Sequence, residues 1–184
     1  MRFPHTDQLK LPCTFGQLVP GKLHPDGRRY LPLIVLELPD VQMTDRAAVT
    51  ALGVVDRHHV VDPTLVGRTG LARLVLLLSS VRLQESPPRQ GLVPEDGLAA
   101  GRASIAPTAY GRVVAVPSWE AERQHLPYEA LYTELLLDIG VGVVGVRTSL
   151  TAASLAETIG KPRVEPGDWL EVGRSRIDIL GFEA

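Results

Sequence analysis

A chain of 184 residues that is 45% hydrophobic can bury a core as one large unit or as two small ones, which excludes disorder as the default. Its net charge of −2 is unevenly spread, with 11 Lys and Arg against 8 acids over residues 1–92 and 8 against 13 beyond, so a protein held to DNA chiefly through phosphates is excluded and polyanion contact must be local. A single cysteine, Cys13, excludes an intramolecular disulfide and suits a reducing compartment.

The first ten residues, MRFPHTDQLK, lack the apolar core of a signal peptide, and the richest apolar run, LARLVLLLSSV, is too short to span a bilayer. A soluble cytoplasmic protein is expected. Residues 15–24, FGQLVPGKLH, then present Gly16 and Gly21-Lys22 at nearly the spacing of a phosphate-cradling loop. Such a loop needs a following helix with free amides and a magnesium-binding Ser or Thr after the Lys. Leu23 stands at that position, Pro20 removes an amide, and HPDG follows where a helix should start. The stretch is better read as a first strand, Phe15 to Val19, bent at Gly16, with Pro20-Gly21 opening a loop.

HPDG at 24–27 predicts a turn, LPLIVLELPD at 31–40 and VTALGVVD at 49–56 predict strands, and LVLLL lies in a further strand at 74–78. LPLIVLEL and LVLLL are apolar on both faces, so the second face must be covered by another part of the chain or by another copy of it. A homo-oligomer or an extensive internal interface is therefore expected. Between these strands, VVDRHHVVD sets His58 and His59 between Asp56 and Asp62, all metal-ligand types. Adjacent residues on a strand face opposite ways, so the pair reads as a solvated loop, and no metal or cofactor is expected.

Residues 86–109, dense in Pro, Gly, Ala and Ser, read as a linker between residues 1–85 and 110–184. The second half repeats the order of the first: YGRVVAVP at 110–117 answers FGQLVPGK, LYTELLLDIG answers LPLIVLELPD, GVGVVGVRTS answers VTALGVVD, and VEPGDWLEVGRSRIDILG at 164–181 answers VDPTLVGRTGLARLVLLL. One helix is expected, over SLTAASLAETIG at 149–160, capped by Ser149 or Thr151 and ended by Gly160 before Pro162. In the first half RHHVV occupies its place, so the helix there is reduced or missing. The remaining second-half strands are placed at Tyr110 to Trp119, Ala130 to Ile139, Val141 to Thr148, Trp169 to Val172 and Arg176 to Phe182.

No nucleophile elbow, metalloprotease motif or framed carboxylate pair occurs, and SWEAERQHLPYE at 118–129 reads as a polar loop. An enzyme is not expected. Trp119, Tyr128, Tyr132 and Trp169 lie in the acidic half, where Tyr132 shares a strand face with Glu134 and Asp138.

Three strands, a helix and two more strands in about 75 residues resemble the OB-fold, a five-stranded Greek-key barrel that binds oligonucleotides and oligosaccharides, and the second half resembles it best. The resemblance implies an all-β protein with two tandem OB-like barrels. It also implies binding of single-stranded nucleic acid, carried by Lys22, Arg28 and Arg29 beside Tyr30 in the first loop and by Arg68 in the turn before the last strand of the first barrel. An oligomeric scaffold or protein-interaction module is the alternative. The closing VEPGDWLEVGRSRIDILGF is also similar to small oxyanion-binding barrels that follow transporter ATPases.

Overall fold

The computed structural model describes residues 6–39, 48–117 and 133–184. Among the described residues nine strands follow one another as β1 (Leu11–Val19), β2 (Leu33–Glu37), β3 (Ala51–Val55), β4 (Thr69–Leu83), β5 (Gly91–Val93), β6 (Thr108–Ala115), β7 (Thr133–Asp138), β8 (Val143–Thr148) and β9 (Trp169–Glu183). An α-helix, α1 (Ala152–Ile159), separates β8 from β9, and a 3-10 turn, Pro63–Leu65, separates β3 from β4. The protein is all-β in class, and among the described residues no helix is long and apolar enough to cross a membrane.

Local sequence explains these elements. In β1, Leu11, Cys13 and Phe15 point inward while their neighbours do not, the period-2 pattern of a half-buried strand. Gly16 breaks the ladder with β2, where the register shifts between Phe15 and Gln17. The helix begins as its sequence predicts: the Thr151 hydroxyl accepts from the Ser154 amide at 3.1 Å, and Gly160 ends it in the left-handed region at φ 72°. Its inner face buries Leu155, Ala156 and Ile159. In the first half the corresponding place holds the 3-10 turn, whose start is capped by Asp62.

The strands pair into two closed circuits. The first runs β1–β2–β3–β9–β4 and returns to β1; the second runs β6–β7–β8–β4–β9 and returns to β6. Each circuit thus takes a strand from the other half of the chain. The long strands β4 and β9, 15 residues each, lie antiparallel from Leu71↔Glu183 to Leu83↔Leu170. The first part of β4 pairs with β1 and its middle with β8; the first part of β9 pairs with β6 and its middle with β3. The two closing strands expected at 169–172 and 176–182 are therefore one continuous strand. Register shifts along its ladder with β4, between Leu77 and Leu78 and between Leu78 and Ser80, accommodate the passage from one circuit to the other.

Parts of residues 86–109 join the sheet, at Gly91–Val93, at Ser104 and from Thr108 onward. β5 pairs with β6, and Leu92 accepts from the Val49 amide at 3.1 Å, so this segment ties the second circuit to the residues before β3. One buried cluster contains Phe15, Ile34, Leu36 and Leu52 of the first circuit together with Leu135, Leu137, Val146 and Leu155 of the second. The second apolar faces are covered in part from within the chain. Leu9, just after the turn at Thr6–Gln8, closes over Val75 and Leu136, while Leu33 and Val35 lie half-buried against the segment that follows β5.

Candidate functional site

Four of the residues singled out from sequence sit on one feature, the β1–β2 connection. Residues 20–32 form a narrow hairpin: Tyr30 donates its amide to the Lys22 carbonyl at 2.9 Å, His24 donates to Arg28 at 2.6 Å, and Leu23 bridges Arg29. Its tip is the predicted HPDG turn, where Gly27 stands at φ 82° and donates to the His24 carbonyl at 3.0 Å. At the base, a Cβ on Gly21 would fall 1.7 Å from the Tyr30 carbonyl oxygen, so only glycine lets the two arms approach. No helix follows Gly21-Lys22, and the phosphate-cradle geometry is missing.

Lys22, Arg28, Arg29 and Tyr30 are all exposed. Arg28 faces Asp26 at 4.0 Å with both side chains largely in solvent, a contact worth little. Arg29 reaches the Gly21 carbonyl at 3.5 Å, and among the described residues neither it nor Lys22 meets a carboxylate. The ring of Tyr30 stacks on His24 with centroids 3.8 Å apart, leaving Tyr30 58% exposed. The hairpin therefore presents three cations beside an ordered aromatic pair. Leu23 and Leu31 are also exposed there, at 62% and 43%.

Arg68 is placed differently. It lies in the turn before β4, the last strand of residues 1–85, which returns to β1, while β9 from the other half stands between β3 and β4 in the circuit. Its backbone is fixed, accepting from the Phe15 amide and donating to the Leu65 carbonyl, both at 2.9 Å, and its side chain is exposed. No hydrogen bond or ion pair joins it to the hairpin among the described residues.

A groove of about 980 Å³ runs from the base of the hairpin along the outer face of the first circuit. Val19, Leu33 and Val35 form its floor, and residues 95–105 form its far wall. The acids Glu37, Glu95 and Asp96 line it against a single base, Arg102. Sequence reasoning missed this wall because GLAAGRAS reads as linker. One signal was present: Gly53 interrupts the apolar run of β3, and an isolated glycine in a strand marks a close approach. A Cβ there would lie 2.6 Å from Ile105 Cγ2.

The wall is clasped at Glu95. Its carboxylate accepts from the Ser104 hydroxyl and from the Ile105 amide at 3.1 Å, pinching residues 95–105 into a compact loop. Burial pushes this carboxyl upward, but the hydrogen bonds from Ser104 and from the backbone amides outweigh it and hold the group below the ordinary glutamate range.

The remaining candidates are structural. Asp56 is buried and accepts from the Val60 and Val61 amides at 2.9 and 3.1 Å, closing the turn that leaves His58 and His59 in solvent. No group of metal-ligand side chains forms among the described residues. In EPGD, Asp168 accepts from the Glu165 amide and pairs with Lys161, while Gly167 donates to Val113. Glu134 is fully buried and paired with Arg147 at 2.8 Å. Trp119, Tyr128, Tyr132 and the SWEAERQHLPYE segment lie outside the described residues. Comparison with known families, curated proteins and solved structures yields no match to this chain.

Proposed function

We propose that the protein is a non-enzymatic binding protein whose two circuits are OB-like barrels sharing β4 and β9, and that the first barrel makes weak, salt-sensitive contact with single-stranded nucleic acid. The observation that carries this reading is the convergence of Lys22, Arg28 and Arg29 on one exposed hairpin beside the stacked rings of His24 and Tyr30. Single strands are held by cations that track phosphates and by rings on which bases stack. The acids of the adjoining groove keep the backbone on the hairpin, so few phosphates are neutralised and micromolar affinity is expected at physiological salt. Arg68 is a secondary contact at most.

Fluorescence anisotropy with a labelled oligonucleotide at low salt tests this. Each phosphate contact adds a slope of about −0.7 in log affinity against log salt, so Arg28→Ala with Arg29→Ala should flatten the slope by about one to two units. Binding indifferent to that pair would end the reading. The alternative of a protein-interaction module is favoured by Leu23 and Leu31, exposed on the same hairpin; under it, Leu23→Ser abolishes association and added salt leaves it intact. The oxyanion reading has no supporting observation, since the EPGD turn directs its amides to partners within the chain.

A further inference from the structure

The basic hairpin shares its end of the first circuit with a second connection, the one that leaves β3. The β2–β3 ladder runs from Glu37↔Ala51 to Leu33↔Val55, and one more bond continues it, from the Asp56 amide to the Pro32 carbonyl at 3.2 Å. The chain thus leaves β3 beside Pro32, two residues from Tyr30, and turns through Arg57, His58 and His59. On the β1 side of the same segment Lys22 accepts the Tyr30 amide at 2.9 Å. Two connections distant in sequence therefore flank residues 30–32, which begin at the exposed ring of Tyr30.

The second connection has a fixed shape. The buried Asp56 carboxylate accepts from the Val60 and Val61 amides, and His59 is held at φ 52°, a left-handed conformation that histidine enters more readily than most side chains. Arg57, His58 and His59 are all exposed, and among the described residues none of them meets a carboxylate. The acids around them are engaged elsewhere: Asp26 faces Arg28, Asp62 accepts from the Thr64 amide, and Asp178, level with Val55 on β9, pairs with Arg176. The other charges at this end are Lys22 and Arg29, and His24, His58 and His59 are the histidines among the described residues. A chain of net charge −2 therefore gathers its histidines and a set of free cations at one place.

We propose that the turn at 57–59 is a second arm of the surface that holds single-stranded nucleic acid, and that its histidines make this grip depend on pH. The inference rests on the nucleic-acid reading of the hairpin and extends it to residues which that reading leaves out. Arg57 supplies a cation for a phosphate beside the ring of Tyr30, on which a base stacks. Histidine gains its charge between pH 5 and 8, and in that form both ring nitrogens donate to phosphate oxygens. The arm thus adds a permanent cation, Arg57, and further cations at His58 and His59 as pH falls.

The test is anisotropy of the full chain with a rhodamine-labelled oligothymidylate, titrated against salt at about pH 7.5 and about pH 5.5, both above the ordinary carboxylate range. Wild type should bind more tightly at the lower pH, with a slope of log affinity against log salt steeper by about 0.7 for each histidine that meets a phosphate. Arg57→Ala should flatten the slope by about 0.7 at both pH values. His58→Gln with His59→Gly, where glycine keeps the left-handed backbone, should bind like wild type at the higher pH and lose most of the gain at the lower one, the remainder coming from His24. Should that double variant be destabilised, Arg57→Ala and His58→Gln alone carry the test, since both side chains are exposed. Turn variants that match wild type in affinity, slope and pH response, while Arg28→Ala with Arg29→Ala weakens binding, would overturn this inference and leave the hairpin reading standing. A wild type that fails to bind at either pH would end both.

Discussion

The first and second circuits use the same pairings and are closed by different means. In the second, β8 runs beside β4 through Val75↔Gly145, Leu76↔Val146 and Leu77↔Arg147, and α1 packs Leu155 and Ile159 into the core beneath. In the first, β3 meets β9 through Val55↔Asp178 alone, a 3-10 turn stands in place of the helix, and Ser104 is borrowed from the segment between the halves. Where a helix is missing, backbone groups on the open edge still need partners, and the chain supplies them from elsewhere. The consequence is that the less regular circuit carries the groove, the clasped loop and the basic hairpin.

The largest test of this comparison is to remove what the circuits share. A chain ending at residue 173 keeps the part of β9 that pairs with β6 and loses the part that pairs with β3 and with β4 from Leu71 to Leu78. It should show no cooperative thermal transition, because β4 loses its partner through the centre of the molecule. By the same logic residues 1–85 alone should be unfolded by circular dichroism. A folded 1–85 fragment would show that the first circuit does not need β9.

A smaller effect is expected from single core truncations. Leu36→Ala in the first circuit and Leu137→Ala in the second each remove a fully buried side chain from the common cluster, and each should cost about 2–5 kcal/mol in denaturant unfolding. Both should unfold in one transition, since the cluster is continuous. Two separated transitions would mean that the circuits are thermodynamic units. Ile34→Glu should unfold the chain, whereas Val35→Glu, on the groove side of the same strand, should be tolerated.

Cys13 offers a pH test within the first circuit. Burial pushes its thiol up to about 11, with a weaker opposing contribution from the Ala72 backbone. A group whose folded pKa is raised contributes stability that is full below its unfolded value and is lost as pH rises through the folded one. Stability should therefore fall between about pH 9 and pH 11 by up to about 1.4 kcal/mol per pH unit, and Cys13→Ala should remove that slope. Slow reaction with a thiol reagent at pH 8, rising only on unfolding, checks the burial directly.

Much of this was legible in the residues. The alternation in β1, the HPDG turn and the Thr151 and Gly160 caps all follow from local chemistry, and so the all-β class and the helix at Ala152–Ile159 do too. The hairpin cations were legible because Lys22, Arg28, Arg29 and Tyr30 are near neighbours in sequence. The exchange of β4 and β9 was not, because GRS at 173–175 reads as a break between two short strands, and only the ladder with β4 makes them one strand. The loop at 95–105 was hidden for a related reason: its hold on β3 depends on Glu95 and Ser104 finding each other across a stretch of Gly and Ala that has no period of its own.

The smallest effect belongs to the hairpin, and it separates recognition from folding in the first circuit. Arg28 touches Asp26 at 4.0 Å with 87% of its side chain exposed, and Arg29 reaches only a carbonyl at 3.5 Å. Exposed contacts of this kind contribute little, so Arg28→Ala with Arg29→Ala should change unfolding stability by less than about 0.5 kcal/mol while altering oligonucleotide binding. Gly21→Ala is the contrasting change. A methyl group there would occupy the position of the Tyr30 carbonyl, so the arms must part and the stacked pair of His24 and Tyr30 must lose its register. Denaturant midpoints and oligonucleotide affinity measured on both variants complete the comparison: the arginine pair should lose binding at constant stability, and Gly21→Ala should lose both. A stability loss in the arginine pair as large as that in Gly21→Ala would assign those side chains to the fold instead of to the ligand.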